Sequence, residues 1–128
     1  MAASSQIVER SCKYANELER DRLAAKFYNG RMQFLSISRR RTDQFPPEAF
    51  TPDLVAQEGE RVKALYASGI LRQIWRRGDQ PGASILWEAV SETAVREAIS
   101  SLPIAKAGML ELVALIPLEP YPGFGPSK

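Results

Sequence analysis

Glu58 is the residue whose setting best suits proton transfer. It lies three positions after Val55 and four before Val62, a spacing that places it in the apolar stripe of a helix facing a sheet. A carboxylate there loses part of its hydration, so its pKa rises toward values useful to a general base. The plainer alternatives are a pairing with an arginine at the edge of the core, or exposure at the border of the stripe. Arg72 and Arg76 are four apart in a stretch that reads as a strand, hence on one face, and either could grip a substrate carboxylate through a forked pair of hydrogen bonds. Their structural alternative is an ion pair with Glu88 on the adjacent strand. Trp75 should point to the opposite face, as a core or interface anchor or as a pocket wall. Tyr66 is a further substrate-binding candidate that would otherwise pack under the helix. Lys106 reads as a solvated residue before the last strand, and Glu60, two after Glu58, should face another side of the helix and serve solubility.

The sequence contains no histidine and a single cysteine, Cys12. The usual zinc sites, haem–histidine ligation and histidine-based catalysis therefore cannot be built. Acid–base chemistry falls to Asp, Glu, Lys, Tyr or ordered water, and neither a metal nor a cofactor is expected. One cysteine cannot form an intrachain disulfide, which fits a reducing compartment. The 17 basic and 15 acidic residues leave a formal charge of +2, too small for a strong nucleic-acid field. The run Arg39-Arg40-Arg41 reads as a solvated loop. No stretch approaches the roughly 18 apolar residues of a membrane span, and the N-terminus lacks an apolar signal core. The expectation is a cytoplasmic protein with no membrane or nucleic-acid partner.

The elements that must position these residues follow from periodicity and end signals. At 128 residues, with 45% hydrophobic and 25% charged residues, the chain can bury one core but not two. Residues 1–31 are polar and charged and close on Asn29-Gly30; a helix over 5–28 is expected there, as an N-terminal extension to a domain spanning 32–128. Gln33 to Arg39 reads as a strand, with Leu35 and Ile37 on one face and Phe34, Ser36 and Ser38 on the other. After a loop carrying Pro46-Pro47, Thr51 caps a helix, Pro52 fits its first turn and Gly69 ends it; its stripe is Leu54, Val55, Val62, Leu65 and Tyr66. Ile70–Arg77 and Ala83–Val90 are strands around the turn Gly78-Asp79-Gln80-Pro81-Gly82. Ser91 caps a second helix with the stripe Val95, Ala98, Ile99 and Leu102, and Pro103 ends it. Met109–Ile116 is the fourth strand, followed by an extended tail from Pro117 to Lys128.

The order β-α-β-β-α-β is the split βαβ, or ferredoxin-like, arrangement, an α+β fold with a four-stranded antiparallel sheet and helices on one face. Strands two to four carry apolar residues on both faces: Ile74 and Trp75, Ile85 and Leu86, Leu112 and Val113. A sheet apolar on both sides must cover its open face, so sheet-to-sheet dimerisation into an α/β barrel is expected.

The segment Leu71-Arg72-Gln73-Ile74-Trp75-Arg76 resembles the arginine–tryptophan–arginine strand of the muconolactone isomerase family. Ser101-Leu102-Pro103 resembles that family's exit from its second helix, and Leu110-Glu111-Leu112 with the closing prolines resembles its last strand and tail. Glu58 and Glu60 fall where the family also places glutamates, while Gln73 stands where it usually has a histidine. The resemblance spans about residues 32–124. It implies a proton shift in an unsaturated, carboxylate-bearing lactone, a place in aromatic-compound degradation, and assembly as dimers or rings of dimers. The expected function is a small-molecule isomerase in which Glu58 moves the proton and Arg72 or Arg76 holds the anion. A ligand-binding or assembly member of the fold, and a cofactor-free oxygenase, are the alternatives.

Overall fold

The structure is a computed structural model and describes residues 30–124. The helix expected over residues 5–28, and with it Cys12, lies outside the described residues. Four strands, β1 (Met32–Arg40), β2 (Leu71–Arg76), β3 (Ala83–Ala89) and β4 (Leu110–Leu118), form one antiparallel sheet in the order β2-β3-β1-β4. Three helices accompany them: α1 (Pro52–Ser68), α2 (Glu92–Ser100) and the short α3 (Pro103–Lys106), with a single 3-10 turn at Pro47–Ala49. This is the β-α-β-β-α-β order expected from the sequence. Among the described residues, no helix is long and apolar enough to cross a membrane.

Local chemistry explains where the elements begin and end. Thr51 Oγ1 accepts the Leu54 N–H at 3.1 Å and Ser91 Oγ accepts the Ala94 N–H at 3.1 Å, satisfying amides that a helix N-terminus otherwise leaves unpaired. Gly69 ends α1 in the left-handed region at φ 91°, which costs glycine no Cβ clash. Pro103 does stop α2, but it also opens α3, where its missing N–H is harmless. Pro117 does not end β4. It pairs opposite Phe34 on an edge strand, where a missing donor breaks no ladder on the outer side. The tail is also not extended throughout, since the Phe124 N–H returns to the Tyr121 carbonyl at 2.8 Å.

Between sheet and helices, Phe34, Leu65, Leu71, Ile85, Trp87, Ala89, Val95, Ala98, Ile99 and Leu102 form the buried cluster. Phe34, Ser36 and Ser38 are the helix-facing side of β1. Trp87 is fully buried, and its indole N–H donates to Ser36 Oγ at 2.8 Å. That bond explains a serine in the middle of a core strand, because a buried indole N–H without an acceptor costs about 1–3 kcal/mol.

The opposite face of the sheet carries Leu35, Ile37, Leu86, Trp75, Val113 and Ile116, the last three 51%, 51% and 42% exposed. An apolar band of this extent on one face is what a second copy would cover. Light scattering should therefore report a homodimer or a multiple of dimers, and a stable monomer at micromolar concentration would contradict a barrel built from two sheets.

Candidate functional site around Glu58

On α1 the inward-facing residues are Leu54, Glu58, Arg61, Val62 and Leu65. Val55 and Tyr66 lie at the border of this line, just beyond Val62, and they are 39% and 64% exposed. Tyr66 therefore does not pack under the helix. Consecutive residues turn by about 100°, which carries Tyr66 from the buried Leu65 past Val62 to the outer border of the line. Glu60 faces solvent and pairs with Lys63 at 3.9 Å, and Lys106 is exposed at the end of α3.

Glu58 lies partly buried in the middle of the inner line. Its Oε1 accepts the Ile104 N–H at 2.9 Å. Leu102, the cap residue of α3, has no side-chain acceptor, and Pro103 has no N–H, so the Ile104 amide is the orphan donor that Glu58 satisfies across 46 residues of sequence. Burial pushes the Glu58 carboxyl above its ordinary value, while the Ile104 N–H and the positive charge of Arg40 pull it back. Desolvation is the largest of the three influences, so the net result is a more basic carboxylate. Next to this group, the Arg61 Nε–H donates to Ser101 Oγ at 2.9 Å and Ser101 Oγ donates to the Ala98 carbonyl at 2.6 Å. These bonds tie α1 to the end of α2 and fix the helix that carries Glu58.

The two arginines expected to serve Glu58 do not share one regular row of the strand. A bulge separates Leu71, opposite Trp87, from Gln73, opposite Leu86. The extra residue is Arg72, so simple alternation no longer sets Arg72 and Arg76 on a common face. Arg76 pairs with Ala83 and Trp75 with Ser84, so Arg76 lies in the helix-facing row of Ile85 and Trp87 and Trp75 on the open face of the sheet. Neither Arg72 nor Arg76 bonds to Glu88, whose Oε1 instead accepts from Gln33 Nε2 at 3.5 Å.

The cation that acts on Glu58 is Arg40, a residue of the arginine run that the sequence predicts as a solvated loop. β1 runs one residue further than expected, and Arg40 continues the helix-facing row of Phe34, Ser36 and Ser38. The run Arg39-Arg40-Arg41 is thereby divided. Arg39 pairs with Glu111 and Asp43, whereas Arg40 lies over the Phe50 ring at 5.5 Å from its centroid. Strand alternation was the available signal, had the strand been carried one residue further.

The site is thus a partly buried carboxylate under the charge of Arg40 on an α+β scaffold. The chain belongs to the muconolactone delta-isomerase family, whose model matches residues 32–123. Among solved structures it is similar to the 5-chloro-2-hydroxyhydroquinone dehydrochlorinase of Burkholderia phenoliruptrix AC1100 in complex with 2,5-dihydroxybenzoquinone. The TM-score is 0.50 and the identity 21%, over 69% of this chain and 92% of that one, a likeness of fold. No curated protein matches the chain.

Proposed function

We propose that the protein is an isomerase that moves a proton within a small unsaturated lactone or related compound bearing a carboxylate, with Glu58 as the base. The observation that carries this reading is the partly buried Glu58 carboxylate, held at one oxygen by the Ile104 N–H and made more basic by burial. Its other oxygen, Oε2, accepts no hydrogen bond from the described residues and is the one available to a substrate proton. The carboxylate removes a proton from the saturated carbon next to the double bond, and the electron pair moves toward the lactone carbonyl as a dienolate. Glu58 then returns the proton to the far end of the allylic system. One C–H bond breaks and one forms, so the step balances without an oxidant or reductant. The same reading has the protein work in the cytoplasm in aromatic-compound degradation, as a homodimer or ring of dimers, a form supported by the apolar open face of the sheet.

A lactone of this class incubated with the protein in deuterated water should show double-bond migration and deuterium uptake by NMR at a rate proportional to enzyme. Oxygen consumption without migration would assign the oxygenase chemistry instead, and binding without exchange would assign a ligand-carrying role.

A further inference from the structure

Arg40 is held ready for an anion that the chain itself does not supply. Its guanidinium carbon lies over the Phe50 ring, 5.5 Å from the centroid, a cation–π contact that uses none of its N–H donors in a hydrogen bond. Three other arginines have their carboxylates: Arg39 takes Asp43 and Glu111, Arg77 takes Asp79 in a two-bond fork, and Arg96 takes Glu92, whereas among the described residues no ion pair forms at Arg41, Arg72 or Arg76. Among the described residues Arg40 has none. Arg40 pairs with Leu110, the neighbouring Met109 N–H donates to the Ile104 carbonyl and the Ile104 N–H to Glu58, so its charge acts on the Glu58 carboxylate although no ion pair closes between them. The backbone of Arg40 is also fixed, since its N–H donates to the Pro81 carbonyl at 3.0 Å.

We propose that Arg40 receives the carboxylate of the ligand, and so selects for small unsaturated carboxylic acids over their neutral counterparts. The chemical role of that selection rests on Glu58 being the base, but the binding does not. Electrostatics favour this placement. A ligand carboxylate brought near the anionic Glu58 would be repelled, and a guanidinium beside it removes that repulsion while contributing two charge-assisted hydrogen bonds. Arg72 and Arg76 exert no such influence on Glu58.

The test is an NMR titration with sorbate, a small unsaturated carboxylate, and with its methyl ester. Wild type should bind the acid about 10–100-fold more tightly than the ester. R40Q should bind both alike, with its affinity for the ester unchanged. R40K, which keeps the charge but not the fork, and F50L, which removes the ring beneath it, should each lose part of the preference. E58Q should retain it, which separates failure of this proposal from failure of the isomerase reading. The proposal is overturned if wild type binds neither ligand or fails to distinguish them, if folded R40Q keeps the preference, or if R40Q loses acid and ester equally. Should R40Q not fold, an undiminished preference in R40K and F50L overturns it as well.

Discussion

Gly82→Ala should destabilise the domain by about 2–5 kcal/mol, the sum of a strained backbone and a steric insertion, and lower its melting temperature by more than about 10 °C. Gly82 has φ 152°, outside the region that L side chains adopt comfortably. A Cβ on it would overlap the Ser38 carbonyl oxygen and stand 2.9 Å from Arg39 Cα. Both obstacles are backbone, so no side-chain rotation relieves them. The β2–β3 turn is pinned there by three further bonds. The Arg77 N–H donates to the Gly82 carbonyl at 3.0 Å, the Arg40 N–H to the Pro81 carbonyl at 3.0 Å, and Arg77 Nη1 to the Ser38 carbonyl at 3.3 Å. Displacing the turn therefore disturbs the end of β1 that carries Arg40. Gly59→Ala is the control: it lies within α1 with nothing inside 4 Å of the added Cβ, and it should stabilise by about 0.5–1 kcal/mol. Thermal unfolding of both variants measures the contrast, and a Gly82→Ala protein within about 0.5 kcal/mol of wild type would contradict the close approach.

Glu58→Gln should lower turnover about 10²–10⁴-fold, the range that a positioned acid–base group contributes, while fold and assembly survive. Gln keeps an oxygen that can accept the Ile104 N–H but cannot take up a substrate proton. Stability supplies an independent reading of the same residue. Because burial raises the folded-state pKa of Glu58 above its unfolded value, folding retains a proton there that the unfolded chain releases. The stability this contributes is complete below the unfolded pKa and is lost as pH rises through the folded one. Wild type should thus lose stability relative to E58Q across that window and gain no advantage at neutral pH. A purely structural Glu58 would leave turnover unchanged in E58Q, whereas an E58Q protein less stable than wild type at neutral pH would contradict a burial-raised carboxyl.

The scaffold was legible because its signals are local. Thr51 with Pro52, Gly69, Ser91 and the Gly- and Pro-rich turn before Ala83 each act on their own few residues, and the element order followed from them. The four residues read as the α2 stripe are all buried. The site was legible only in part, because what assembles it is not local. Nothing near Glu58 in sequence announces that its partner is the Ile104 amide, whose need arises from Leu102 and Pro103 at the start of a four-residue helix. The bulge at Arg72 is a property of pairing with β3, and it breaks the alternation that linked Arg72 to Arg76. Tyr66 was placed by a stripe drawn too wide, and Arg40 was missed because a run of three arginines reads as solvent-exposed whichever face each one occupies. The Trp87–Ser36 bond likewise joins residues 51 apart.

The pH dependence of proton exchange tests the central claim most directly. The rate of deuterium uptake into a carboxylate-bearing unsaturated lactone, measured from about pH 4 upward, should rise through an apparent pKa above the ordinary glutamate value of about 4.3. The 13C carboxyl resonance of Glu58 should titrate at the same position in the free protein. A rate that stays flat across this range, or a Glu58 resonance that titrates at or below the ordinary value while exchange proceeds, would contradict Glu58 as the base.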